Sequence, residues 1–292
     1  MKRKIVITGI SSPIIQKLTA RIDLSKYEVI GISRNPSFVL DNVKIVTADI
    51  QENQQYSDQL HNCYMVIHGA AITHSKSEKT YFDINLKATI ALVEEAKKHS
   101  VTRFIFISSN TAGMESGAYG LTKLLAEQHI QKELKQYSII RLSEVYGGSK
   151  KEGIDKLIDD ALHKSVLVCP TGMSSKLSPI HIEDTVGQLH NSIFRNAPVG
   201  NVSVINGPET FTYQEIIGLI ENVTKRKIKV FYFNKNVMYL IKWMVKISPI
   251  KFGIVPDQVD RLYSAKHIED NTTPMKTLSQ YLTTRLTMPQ SK

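Results

Sequence analysis

The feature that most restricts this chain is an alternation, kept up through its first half, of short β-branched runs and longer stretches with helical spacing. The runs are Lys4–Thr8, Glu28–Ile32, Val43–Ala48, Met65–Gly69, Arg103–Ser108 and Tyr137–Leu142. Between them, Pro13–Ile22, Phe82–His99 and Ala118–Gln136 carry apolar residues every three to four positions. Strands that are apolar on consecutive positions need cover on both faces, and strands joined by helices pair in parallel. The pattern predicts an α/β fold of the doubly wound type, with a parallel sheet between two helical layers.

Composition narrows the setting. With 292 residues, 42% of them apolar, the chain has enough material for a packed core. The basic start Met1-Lys2-Arg3-Lys4 is followed by an apolar run that stops at Thr8-Gly9, which reads as a buried strand and not as a secretion signal. The longest membrane candidate, Val237 to Val255, is broken by Lys242, Lys246 and Lys251. Cys63 and Cys169 are far apart and lack metal-ligand spacing, so free thiols, no metal and a reducing, cytoplasmic setting are expected. The net charge of +10 favours anionic partners. The lysines are scattered and no nucleic-acid module or basic-aromatic stripe occurs, so nucleic acid is not an expected partner.

Ile5-Val6-Ile7-Thr8-Gly9-Ile10-Ser11-Ser12-Pro13-Ile14-Ile15 reads as strand, tight turn and helix. Ser12 suits a helix cap and Pro13 the first helical position, leaving amides near Ser11, Ser12 and Ile14 to face an anion such as a diphosphate. An ordinary capped helix after a buried strand is the competing reading. Further along, Ser33-Arg34 ends the second strand, Asp49-Ile50 follows the third, and Val66-Ile67-His68-Gly69-Ala70-Ala71 ends the fourth in small residues.

The order of these segments resembles the extended short-chain dehydrogenase/reductase family, whose nucleotide-sugar epimerases, dehydratases and ketoreductases carry Thr-Gly-x-x-Gly-x-x-Gly at this turn. Only Gly9 survives here, with Ser12 and Ile15 in place of the second and third glycines. The departure implies a displaced helix and weaker cofactor affinity. By the resemblance, Gly9, Ser11, Ser12, Ile14, Arg34, Asp49, Ile50, Ala70, Ala71 and Val145 would contact a nicotinamide dinucleotide. Arginine at position 34, where an acidic residue would bind the ribose hydroxyls of NAD, favours NADP(H) over NAD(H).

The family's catalytic pattern is met by Ser108-Ser109 at the end of the fifth strand and Tyr119-x-x-x-Lys123 at the start of a helix. Tyrosine and lysine four apart share a helical face. An ammonium and an oxidised nicotinamide would favour the phenolate, making proton transfer by Tyr119 feasible near neutral pH. Ser109 would hydrogen-bond the substrate oxygen, and Lys123 would also hold the nicotinamide ribose. Tyr146 and Lys150 repeat the spacing, but in a Gly-Gly turn. Thr73, Asn110, Thr111 and Glu144 are candidate substrate contacts, with loop capping as the competing role for Asn110 and Thr111. Asn85 would support the proton relay, whereas His181 and Asp184 read as structural.

The predicted organisation is a dinucleotide-binding Rossmann domain over 1–147, with return segments near 178–206, and a smaller substrate-binding domain from 148–177 and 207–292. The activity implied by the resemblance is NAD(P)-dependent oxidation-reduction or epimerisation of a carbonyl or alcohol carbon, with a nucleotide-linked sugar as the expected substrate. The alternative is a non-catalytic dinucleotide sensor or assembly protein. A homodimer through Phe82–His99 and Ala118–Gln136 is expected from the resemblance. The apolar stretch Val237–Lys246 predicts burial within the smaller domain, with a helix lying on anionic lipid as the second reading.

Overall fold

The computed structural model describes residues 1–148, 152–173, 175–195, 199–247, 255–270 and 273–287. The strands are β1 (Arg3–Thr8), β2 (Tyr27–Ser33), β3 (Lys44–Thr47), β4 (Cys63–His68), β5 (Arg103–Ser109), β6 (Tyr137–Leu142), β7 (Val145–Tyr146), β8 (Val166–Pro170), β9 (Ile180–His181), β10 (Asn201–Ile205) and β11 (Lys229–Phe233). The helices are α1 (Pro13–Thr19), α2 (Glu78–Tyr81), α3 (Ala88–Lys98), α4 (Gly117–Glu133), α5 (Gly153–His163), α6 (Ile182–Phe194), α7 (Tyr213–Thr224), α8 (Lys235–Ile247), α9 (Pro256–Tyr263) and α10 (Leu278–Thr287).

Among the described residues, seven strands form one sheet in the order β10-β6-β5-β4-β1-β2-β3, all paired in parallel. The consecutive apolar residues of β1 explain why both faces must be covered. Ile5 and Ile7 join a core with Ile15 and Leu18 of α1 and Val186 and Leu189 of α6, while Val6 faces Leu92 and Val93 of α3 and Ala126 of α4. Each such side chain contributes roughly 1.5–3 kcal/mol by leaving water. The strand order reverses between β1 and β4, and the crevice at that switch point is where open α/β sheets hold ligands.

Several helices differ from the reading of the sequence; the one expected over Ala118–Gln136 ends at Glu133. The helix expected over Pro13–Ile22 ends at Thr19, because Arg21 and Ile22 bond back three residues, to the carbonyls of Leu18 and Thr19, in a tighter turn. Ile22 still reaches the core. The helix expected to be buried over Val237–Lys246 is present as α8, but Met238 and Val245 are its buried residues while Leu240, Trp243 and Ile247 face solvent. Its near-continuous apolar surface exceeds what packing on α9 can cover.

A buried polar chain ties β1 and β4 to the helical layer. Thr8 Oγ1 lies 2.6 Å from His68 Nδ1, and His68 Nε2 lies 2.8 Å from Thr89 Oγ1, whose hydroxyl donates to the Asn85 carbonyl. Asn85 occupies a π-helical stretch, Phe82–Lys87, and clamps the backbone of Ile72, accepting from its N–H at 2.8 Å and donating to its carbonyl at 3.0 Å. This holds the segment after β4 in place.

Burial, with the charge of Lys123 adding to it, lowers the His68 pKa from 6.5 to about 3. The unfolded chain therefore binds this proton more readily, so stability is complete above pH about 6.5 and is lost as pH falls towards 3. Between pH 6.5 and 5 the loss expected from His68 is about 2 kcal/mol. Urea midpoints measured against pH check this: the wild type should lose stability over that interval, and His68→Gln should show a flatter profile whatever its starting stability.

Candidate active site

The turn after β1 is built on Gly9, whose φ of +71° belongs to the left-handed region. A Cβ there would lie 2.6 Å from the backbone of Gly69 and Ala70, so no other residue fits without moving β4. Ser12, in contrast, has an ordinary extended backbone (φ −70°, ψ 135°) that needs no glycine. It sits at the N-terminal boundary of α1, although its side chain caps no amide.

Ile15 replaces the glycine that would let helix and sheet approach, yet it is buried in the core. Gly69 on the sheet side makes the room: a Cβ there would lie 2.8 and 2.9 Å from Ile15 Cδ1 and Cγ1. The volume added to the helix has been removed from the strand end. Gly69→Ala alone should therefore cost about 1–3 kcal/mol by overpacking, and Ile15→Ala alone about 2–5 kcal/mol through the cavity it leaves. In urea unfolding, the double variant should lose clearly less than the sum of the two; additive losses would show that the positions do not share one space.

Two cavities meet at this turn. One, of about 250 Å3, is lined by Gly9, Ser11, Ser12, Ser33, Arg34, Ile50, Ala70 and Ala71 among others. The second, of about 360 Å3, is lined by Ile14, Ile15, Thr73, Ser109, Tyr119, Lys123, Ser143 and Val145, together with Gly148, Glu152 and Asp155. Ser12, Gly69 and Ala71 border both. Of the residues singled out from the sequence for a cofactor, Asp49 is the one that lines neither cavity, its carboxylate instead accepting the Gln51 N–H at 3.0 Å.

Ser109, at the end of β5, and Tyr119 and Lys123, on the first turns of α4, converge on the second cavity. Lys123 is buried, with Nζ donating to the Ile107 carbonyl at 2.8 Å and lying 4.3 Å from the centre of the Phe106 ring. Burial lowers its pKa to about 8, against the opposing pull of Glu127 one turn on. Glu127 is itself held by Arg141 at 2.6 Å and by the Ser108 hydroxyl at 2.5 Å. The Ser109 hydroxyl lies 2.9 Å from Thr111 Oγ1 and neighbours the Tyr119 phenol.

Burial raises the Tyr119 pKa above its ordinary value, while the Arg261 cation and the Ser109 hydroxyl pull it down. The unliganded tyrosine is thus a neutral phenol, and the cation that most opposes its burial is Arg261 rather than the expected lysine. Asn110 and Glu144 stand behind the cavity wall. Asn110 donates to Ser143 Oγ at 3.3 Å, and Glu144 pairs with Lys266 at 3.2 Å and accepts from Ser143 at 2.8 Å. Tyr146 is fully buried with its hydroxyl on the Lys276 carbonyl, and Lys150 lies outside the described residues.

The reading of the sequence missed two residues that hold Tyr119. Asp257 of α9 accepts the Tyr119 N–H at 2.9 Å, serving as a cap for α4 from 138 positions away. Arg261, one turn on, pairs with Asp257 at 2.9 Å, lies 4.7 Å from the centre of the Tyr119 ring and donates to the Thr73 carbonyl at 2.9 Å. The only signal in the sequence was an Asp-x-x-x-Arg pair on one helical face, a pattern common on surface helices. Cys63 and Cys169 are buried free thiols, and His181 receives the Glu183 N–H at the start of α6.

A doubly wound sheet with a glycine turn at its switch point, opening to a cavity lined by Ser109, Tyr119 and Lys123, is a Rossmann-like α/β architecture. The chain belongs to the NAD dependent epimerase/dehydratase family, whose model matches residues 5–191. An uncharacterized UDP-glucose epimerase, YtcB, of Bacillus subtilis is 26% identical over 271 residues, covering 80% of this chain and 85% of that protein. The 40 kDa subunit of NADH-ubiquinone oxidoreductase from Neurospora crassa is 21% identical over 190 residues, 64% of this chain but only 49% of that subunit. The solved UDP-glucuronic acid 4-epimerase of Bacillus cereus, in complex with UDP-glucuronic acid and NAD, superimposes with a TM-score of 0.70 at 20% identity, covering 96% of each chain. Likeness at that identity shows the shared fold.

Proposed function

We propose that the protein is an NAD(P)-dependent enzyme that oxidises and reduces a carbonyl or alcohol carbon of a nucleotide-linked sugar, as an epimerase or a ketoreductase. The observation that carries this is the convergence of Ser109, Tyr119 and Lys123 on a cavity continuous, through Ser12, Gly69 and Ala71, with the crevice that ends at Arg34. The residues present fit a dinucleotide: Gly9 leaves backbone open where a Cβ would collide, and Ile15 is accommodated against Gly69 without closing the turn. Gly9, Ser11 and Ser12 would hold the diphosphate, Ser33, Arg34 and Ile50 the adenosine end, and Lys123 and Val145 the nicotinamide end.

When bound, the cofactor supplies the hydride acceptor or donor and, oxidised, a positive charge. Tyr119 takes the proton of the substrate hydroxyl during oxidation and returns it during reduction. Ser109 donates a hydrogen bond to the same oxygen, and Lys123, which spends one of its three N–H groups on Ile107, keeps the others for the cavity. Arg34, exposed at the end of β2, suits a 2′-phosphate, so NADP(H) is the preferred form.

A non-catalytic role as a dinucleotide-binding sensor or assembly protein is the second reading, favoured by the loss of two turn glycines and by the match to a respiratory-complex subunit. Nicotinamide absorbance and sugar-nucleotide chromatography, over a panel of UDP- and dTDP-sugars, separate the two. Turnover by the wild type that falls about 10²–10⁴-fold in Tyr119→Phe is the expected result, together with a loss of about tenfold or more in preference for NADP(H) in Arg34→Glu. Equal, background-level turnover by wild type and Tyr119→Phe would establish the second reading instead.

A further inference from the structure

Helix α8 has three distinct sides. Met238, Ile241 and Val245 face the protein: Met238 and Ile241 pack with Val259, Leu262 and Tyr263 of α9, and Val245 is fully buried. At about 100° per residue, Val237, Leu240, Trp243, Met244 and Ile247 share another side, and they are 37, 56, 59, 41 and 62% exposed. Lys235, Lys242 and Lys246 form a row along the border between the two. The apolar side is not the outer edge of a core, because its residues point away from α9.

What the surface is made of decides which partner it suits. The apolar side consists of aliphatic side chains, one thioether and one indole, with Asn236 as its polar exception. It therefore offers few directional groups for a protein partner to match. The basic row runs beside the apolar strip, within a chain whose net charge is +10, and Lys235 and the solvent-screened Lys246 are its members not held by a partly buried carboxylate. Lys242 is held by Asp260 at 2.6 Å, while Lys246 and Glu78, 3.1 Å apart, are both more than half exposed, a pairing that water largely screens. Lys235 has the Tyr239 and Tyr263 rings beside it, at 5.9 and 5.7 Å. Apolar strip, bordering lysines and an indole at the boundary are the parts of a helix that lies in a lipid interface.

We propose that α8 docks the protein on the surface of an anionic lipid bilayer, with Leu240, Trp243 and Ile247 entering the headgroup boundary and Lys235 and Lys246 at the level of the phosphates. The helix lies in the plane of the surface. Its 13 residues are too few to cross, and among the described residues no helix is long and apolar enough to do so. A second copy of the chain is a weaker occupant, because pairing α8 with itself brings two lysine rows of the same sign together. The docking does not depend on the reaction proposed above, so its failure would leave that reading untouched.

Trp243 is the only tryptophan in the chain, so intrinsic fluorescence reports on this surface alone. The full chain would be titrated with phosphatidylglycerol-containing vesicles and with pure phosphatidylcholine vesicles, and sedimented with each. A blue shift of Trp243 emission and pelleting with the anionic vesicles are expected, weakened by salt. Partition should fall about fivefold in Lys235→Gln, the worth of one lysine near a charged surface, and pelleting should be lost in Leu240→Gln/Ile247→Gln, whose substitutions touch only exposed positions.

Unchanged emission and no pelleting with anionic vesicles would overturn the proposal, as would equal partition to neutral vesicles or undiminished pelleting of the double variant. A Trp243 shift that follows protein concentration without lipid would assign the surface to a second copy.

Discussion

The site depends on a buried ammonium. Removing Lys123 from water is costly, and the structure offsets that cost with one carbonyl, Ile107, one aromatic face, Phe106, and the charge of Glu127 a helical turn away. Glu127 is in turn neutralised by Arg141 of β6 and bonded by Ser108 of β5. Each member is satisfied by the next, so the carboxyl ends of β5 and β6 and the start of α4 are locked in one arrangement. Tyr119, one turn before Lys123, inherits its position from that lock.

The second constraint comes from the distant half of the chain. Asp257 caps α4 at the Tyr119 amide and Arg261 covers the Tyr119 ring, so the phenol is held between its own sheet and α9. Burial at this point keeps the tyrosine protonated, and Arg261 moderates the effect. A phenol in this state needs further positive charge to become a base, which is the charge an oxidised nicotinamide brings. In the reaction proposed, this arrangement would leave Tyr119 inactive as a base alone and responsive to what fills the crevice.

How much of this was legible follows from how local each signal is. The strands of the first half emerged within one or two residues of their bounds, because a parallel strand buried on both faces leaves a continuous apolar run. Ser109, Tyr119 and Lys123 were found because a strand end and a helix start only ten positions apart carry them. The exchange of bulk between Ile15 and Gly69 was not legible: Ile15 looks like an isolated departure and Gly69 like one small residue among several, until the fold brings these positions, 54 apart, into contact. Asp257 and Arg261 lay further still from the residue they hold. Periodicity also could not say which side of α8 meets protein, since a helix that is apolar nearly all round gives the same pattern whether a core or nothing covers its outer face.

In the reaction proposed, one bound dinucleotide brings its reactive ring between Ser109, Tyr119 and Lys123. A crystal structure of the wild type with saturating NADP⁺ or NAD⁺ tests it most directly. The expected result is the adenosine end beside Arg34 and Ile50, the diphosphate against Gly9 and Ser12, and the nicotinamide ring within reach of the Tyr119 hydroxyl. A crevice left empty at saturation, or a ring directed away from Tyr119, would contradict it.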